Sequence, residues 1–130
     1  MSKFLTDLCL VDISDKRWRL HDPLVYESDL LKDTVIVPVG FETDLASVPR
    51  VPIIFNLWGD RSHYEAVIHD YLYCIDSIPV VTFDRANEVF LEAMGVRGKS
   101  WHIRKPMYWG VCLGGRPCYH KKMVFPKEAL

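Results

Sequence analysis

The chain has 130 residues, 49% of them hydrophobic, and a net charge of −1. That suffices for one apolar core and leaves little room for a second, so residues 1–130 are read as a single domain. No apolar run approaches the roughly 18–20 residues of a membrane-spanning helix, and the opening MSKFLTDLCLVDISDKRW, whose apolar stretch is interrupted by acids, reads as a poor signal peptide.

In chain order, RWRLHDPLVYES reads as a strand, a turn at His21-Asp22-Pro23 and a second strand. DTVIVPVGFETD follows as a third strand. Thr34–Val37 is β-branched throughout, and Pro38 argues for an edge or a strand end. TDLASVPR opens a short helix with Thr43 or Asp44 as N-cap, ended before Pro49. SHYEAVIHDYLYCI carries a capping-box pattern, Ser62 with Glu65. DRANEVFLEAMG is a helix with Asp84 as N-cap, an apolar face of Ala86, Val89, Phe90 and Ala93, and a stop at Gly95. PMYWGVCLGG is a last, shorter helix with Pro106 near its first turn and Gly114-Gly115 at its end. Strands first and helices after predict an α+β fold: a small N-terminal antiparallel sheet packed against three or four C-terminal helices.

The charges are unevenly spread. Eight basic residues face sixteen acidic ones up to Met94; from Gly95 onward eight face one, Glu128. Such a basic third can meet phosphate, a membrane surface, another anionic partner or the chain's own acidic part, and internal neutralisation with a solvated face is the preferred reading. In that third, Trp101, Tyr108, Trp109 and Tyr119 are interleaved with Arg and Lys, a pattern of single-strand nucleic-acid or sugar-polymer binders and equally of helix core beside a solvated face. Cys9, Cys74, Cys112 and Cys118 form no CxxC pair, which points to free thiols in a reducing cytoplasm rather than a zinc knuckle.

The segment VIHDYLYCI (67–75) sets two ionisable residues in an apolar run. At about 100° per residue, Tyr64, Ile68, Tyr71, Leu72 and Ile75 make one face. His69, Tyr73, Ala66 and Asp70 share the other. That face lacks Lys and Arg and carries Tyr and Ala, which suits partial cover by another segment, so the pair need not be buried in the core.

Three stretches carry a likeness: VPVGFETDLASVPR (37–50), AVIHDYLY (66–73), and FLEAM (90–94) followed by MYWGV (107–111). Together they resemble a family of small phage and prophage proteins classed as a domain of unknown function, with the patterns VPxGFxTDxASxPR and AxxHDxLY. The likeness covers roughly Trp18 to Gly114. It implies a phage or prophage source more firmly than an activity, and it points at Thr43, Asp44, Ser47, Pro49, Arg50, His69, Asp70 and Tyr73. One position departs: where the family usually has Ala-Asp, this chain has Ala86-Asn87. An Asn coordinates or caps through its carbonyl oxygen but supplies no charge. A more partial similarity is to secreted phospholipase A2, in which His69, Asp70, Tyr73 and Asp84 would take the parts of base, calcium ligand, support and orienter. Its calcium loop and disulfide framework are missing here.

Two functional classes follow. The first is a hydrolase-like enzyme with Asp44, His69, Asp70 and Tyr73 as the catalytic set and Arg50, Ser47 and Thr43 in binding. Asp44, His69 and Asp70 would hold a divalent metal ion, or His69 would act as a general base. The second is a non-enzymatic virion or tail accessory, or a binder of a host factor. There Asp44, Arg50 and Asp70 form a structural ion-pair network, and the basic third meets the partner. Either would act in the bacterial host cytoplasm or in the phage virion.

Overall fold

A computed structural model describes residues 2–14, 17–43, 63–98, 100–114, 116–120 and 123–124. Six strands come first: β1 (Lys3–Phe4), β2 (Leu10–Ser14), β3 (Arg17–Leu20), β4 (Leu24–Ser28), β5 (Asp33–Val37) and β6 (Glu42–Thr43). Three helices follow: α1 (His63–Leu72), α2 (Phe83–Val96) and α3 (Trp101–Gly114), with a 3-10 turn at Arg116–Cys118. The expected α+β layout is present, with one refinement. The strands form two antiparallel three-stranded sheets, ordered β1-β4-β5 and β2-β3-β6. The strands flanking His21-Asp22-Pro23 therefore belong to different sheets and do not pair with each other.

β4 is central in its sheet and alternates cleanly. Leu24, Tyr26 and Ser28 point inward, and Val25 and Glu27 between them are part-exposed, the period of two that pleating imposes. Its partner β5 buries Val35 and Val37 and ends before Pro38 at the sheet edge. The bend that follows joins the sheets: Gly40 N–H donates to Leu20 O, and Leu20 N–H to Phe41 O. Gly40 has φ +87°, a conformation that suits a residue without Cβ.

α2 lies between α1 and α3 and also meets β1. Its N-cap is Thr82 rather than Asp84: the Thr82 hydroxyl accepts from Arg85 N–H, and Asp84 sits exposed in the first turn. It runs one residue past Gly95, to Val96, and stops where Gly98 takes φ +84°. Gly95 serves packing instead, since the Arg104 guanidinium of α3 lies where its Cβ would be. The expected face Ala86, Val89, Phe90 and Ala93 is buried, joined by Phe83 and Met94. Burial of a side chain the size of Phe90 contributes about 2–3 kcal/mol.

α3 starts earlier than its proline suggests. Trp101 opens it and Pro106 lies inside. An internal proline forfeits one backbone hydrogen bond and crowds the preceding turn, and α3 tolerates this with Met107 and Val111 anchored in the core.

Candidate functional site

α1 is enclosed almost all round. From Glu65 to Cys74 every residue is buried, and Ile75, expected on its apolar face, lies beyond the helix end and is exposed. The expectation of a partly covered polar face outside the core is thus corrected: His69 has 0% of its surface exposed and Asp70 5%. The reason is position. α1 is flanked by α2 on one side and β5 on another, so it has no side reserved for water.

Burying polar groups is costly unless they are hydrogen-bonded, and α2 supplies the partner. Asn87, fully buried on α2, presents Oδ1 to two donors at once. His69 Nε2 lies 2.8 Å from it and the Tyr73 hydroxyl donates to it at 2.7 Å. A carbonyl oxygen only accepts, so the neutral His69 ring carries its proton on Nε2 and keeps Nδ1 as its basic nitrogen. Burial pushes the His69 pKa down to about 4, and the Asn87 bond opposes this only in part. At neutral pH the imidazole is uncharged.

The network continues into α3. Asn87 Nδ2 donates to Cys112 Sγ at 3.8 Å, and Tyr108 lies close enough to the same cysteine to be influenced by it. The Tyr108 pKa is raised, first by desolvation and then by its interaction with Cys112. Aromatic rings wall the site. Phe90 and Tyr73 lie 4.7 Å and 4.1 Å from the His69 ring, centre to centre, and Tyr119 meets Tyr73 edge-on. His120 N–H donates to Tyr73 O, so the turn after α3 closes over the end of α1.

The structure brings His69 and Tyr73 together as expected, and Asp70 lies buried beside His69 in sequence. Thr43 is buried at the end of β6, paired with Trp18. Asp44, Ser47, Pro49 and Arg50 lie outside the described residues, as do the short helix expected from TDLASVPR and the Ser62 cap. Asp84, given the orienter's part in the phospholipase comparison, is exposed, and Asn87, one turn on, makes the contact with His69. Cys112 and Phe90 were not anticipated as site residues. Asn87 carried a readable signal, as the lone polar residue amid Ala86, Val89, Phe90 and Ala93. Among the described residues, the group of metal-ligating side chains whose atoms lie within 4.8 Å of one another is Cys9, His21 and Asp22, elsewhere in the fold.

No curated protein and no solved structure matches the chain. A family model does, over residues 18–111, which run from within β3 through most of α3 and include His69, Tyr73, Asn87, Phe90 and Tyr108 but not Cys112 or Tyr119. The chain belongs to the family described as proteins of unknown function (DUF1353).

Proposed function

We propose that the chain is a phage- or prophage-encoded, hydrolase-like protein in which His69 works through Nδ1, with Asn87 and Tyr73 holding the ring. The observation that carries this reading is the double hydrogen bond to Asn87 Oδ1. An imidazole fixed through one nitrogen by a side chain on a second helix is oriented as a general base or a metal ligand requires. Asp70 and Asp44 are the carboxylates proposed to complete the site, and Thr43, Ser47 and Arg50 the residues proposed to bind substrate. If a divalent ion is used, Asp44, His69 and Asp70 would hold it, and the ion would supply an activated water.

A second reading rests on a specific observation: His69 is wholly buried and its orienter is neutral. With a pKa near 4 it is a weak base at neutral pH. On this reading the chain is a non-enzymatic virion or tail accessory, or a host-factor binder, and the network only fixes α1 against α2. Asn87→Asp separates the two. A carboxylate beside the ring favours the imidazolium and raises the His69 pKa. Turnover of a phospholipid, a phosphodiester and a cell-wall substrate would be measured with metal content, for wild type, Asn87→Asp and His69→Ala. The hydrolase reading expects Asn87→Asp to raise the rate and move the pH–rate inflection upward, and His69→Ala to abolish turnover. Rates indifferent to both substitutions would leave the second reading.

A further inference from the structure

α3 presents an unusual outer face. Trp101, Lys105, Trp109 and Leu113 recur every fourth residue and so lie within about 120° of one another, opposite the buried Met107 and Val111. Trp101 is 65% exposed, Trp109 58% and Leu113 88%. Lys105 and His102 on the same face are exposed too. An ordinary surface helix turns charged residues outward; this one turns out two indoles and a leucine, and α3 contains no acid. The sequence has none between Gly95 and Lys127.

A cavity adjoins that face where α2 and α3 meet the loop after β4. Its volume is about 460 Å³, and Leu30, Leu91, Arg104, Lys105 and Tyr108 line it with Glu88 and Glu92. The acids there are engaged. Glu92 accepts from the Tyr26 and Ser28 hydroxyls and from Leu30 N–H, and Glu88 faces Arg85 at 3.7 Å. Arg104 differs: its buried Nε has no hydrogen-bond partner. A cationic group with an unanswered donor therefore sits beside an aromatic, acid-free surface, and Lys105 belongs to both.

We infer that the outer face of α3 docks onto an anionic lipid bilayer. Trp101 and Trp109 settle at headgroup level, where an indole keeps its ring in apolar surroundings and its N–H in wet ones. Leu113 enters the acyl boundary, and Lys105 extends its ammonium back to the headgroups. A lipid phosphate at the cavity mouth meets Arg104 and Lys105. α3 itself carries no acid to repel an anionic surface, and of the two acids lining the cavity Glu92 is held by Tyr26, Ser28 and Leu30 and Glu88 lies beside Arg85. A nucleic-acid strand fits less well, because it would ask for several backbone-neutralising cations and leave Leu113 without a role. The inference stands whether or not His69 is catalytic.

The test is co-sedimentation of the full chain with vesicles of phosphatidylglycerol and phosphatidylcholine in equal parts, against phosphatidylcholine alone. Binding to the first and not the second is expected, weakening with salt. Acyl chains carrying bromine quench the tryptophans of wild type. The Trp101→Ala/Trp109→Ala variant loses that quenching although Trp18 and Trp58 remain, and its affinity falls about tenfold or more. Lys105→Glu, a change at an exposed position that leaves the apolar face intact, lowers affinity about tenfold. At matched ionic strength, inorganic phosphate releases no more protein from the vesicles than chloride does. The inference is overturned by equal binding to both vesicle types, by no binding, by release with phosphate beyond that with chloride at the same ionic strength, by tighter binding to a single-stranded oligonucleotide, or by a concentration-dependent dimer that Trp109→Ala abolishes.

Discussion

The α1–α2 contact and the outer face of α3 invert the usual distribution of polarity. At the first, a histidine, an asparagine and a tyrosine hydroxyl lie deep in the core. At the second, two tryptophans and a leucine face outward. Each departure has its own physical condition. Polar groups persist in the core because Asn87 Oδ1 answers two donors and Asn87 Nδ2 reaches Cys112. Trp101, Trp109 and Leu113 lie mostly outside the packed core, so their loss should cost α3 little burial. The core cluster should therefore govern stability, while the outer face should leave it untouched.

Asn87→Leu should break the comparison most severely. It removes the acceptor that His69 Nε2–H and the Tyr73 hydroxyl share, at about 1–3 kcal/mol for each lost bond and so about 2–6 kcal/mol in all. Urea unfolding would measure it; a loss under about 1 kcal/mol would mean that the network is not what holds α1 to α2. Next comes pH. The His69 pKa falls from 6.5 in the unfolded chain to about 4 when folded. As pH drops from 6.5 to 4 the unfolded state takes up the proton that the folded state refuses, so stability declines across that window by about 3 kcal/mol from this group, and it is fully present above it. Histidine chemical shifts give the direct check: His69 should stay neutral until pH approaches 4. Thr82→Ala removes the N-cap of α2 and should cost about 1 kcal/mol. Trp109→Ala comes last, within about 0.5 kcal/mol of wild type, and a larger loss would show that the indole packs against the fold after all.

The order of elements and the alternation of β4 were legible because strands and helices impose different periods on one core side. Pattern reading fails where an element has more than one buried side. The angles of α1 set His69 and Tyr73 on one face, where both meet Asn87, but helical angles alone do not distinguish a solvated face from a second buried one. Two neighbouring elements, α2 and β5, cover α1 on both sides. The likeness read from the sequence motifs leads one to expect an acid at position 87, where this chain has Asn87. That Asn87 still holds His69 follows from a carbonyl oxygen accepting as a carboxylate does, which sequence expresses only as a lost charge. Residue type also misplaced both ends of α2: Thr82 caps ahead of the more obvious Asp84, and the helix runs past Gly95, over which the Arg104 guanidinium lies, to Val96. The start of α3 was missed because Pro106 normally marks a first turn.

Glu92 carries a consequence for the order in which the chain is made. Its carboxylate receives Tyr26, Ser28 and Leu30 N–H from the end of β4 and the loop beyond, partners more than sixty positions earlier. During synthesis β4 and β5 leave the ribosome long before α2 exists, so the β1-β4-β5 sheet must wait with those donors turned to water. A fragment ending at Val81 would keep its hairpin pairing and lack the carboxylate that draws the loop inward. The N-terminal half of this protein is thus completed only by its C-terminal half, and the two are expected to gain resistance to proteolysis together rather than in sequence.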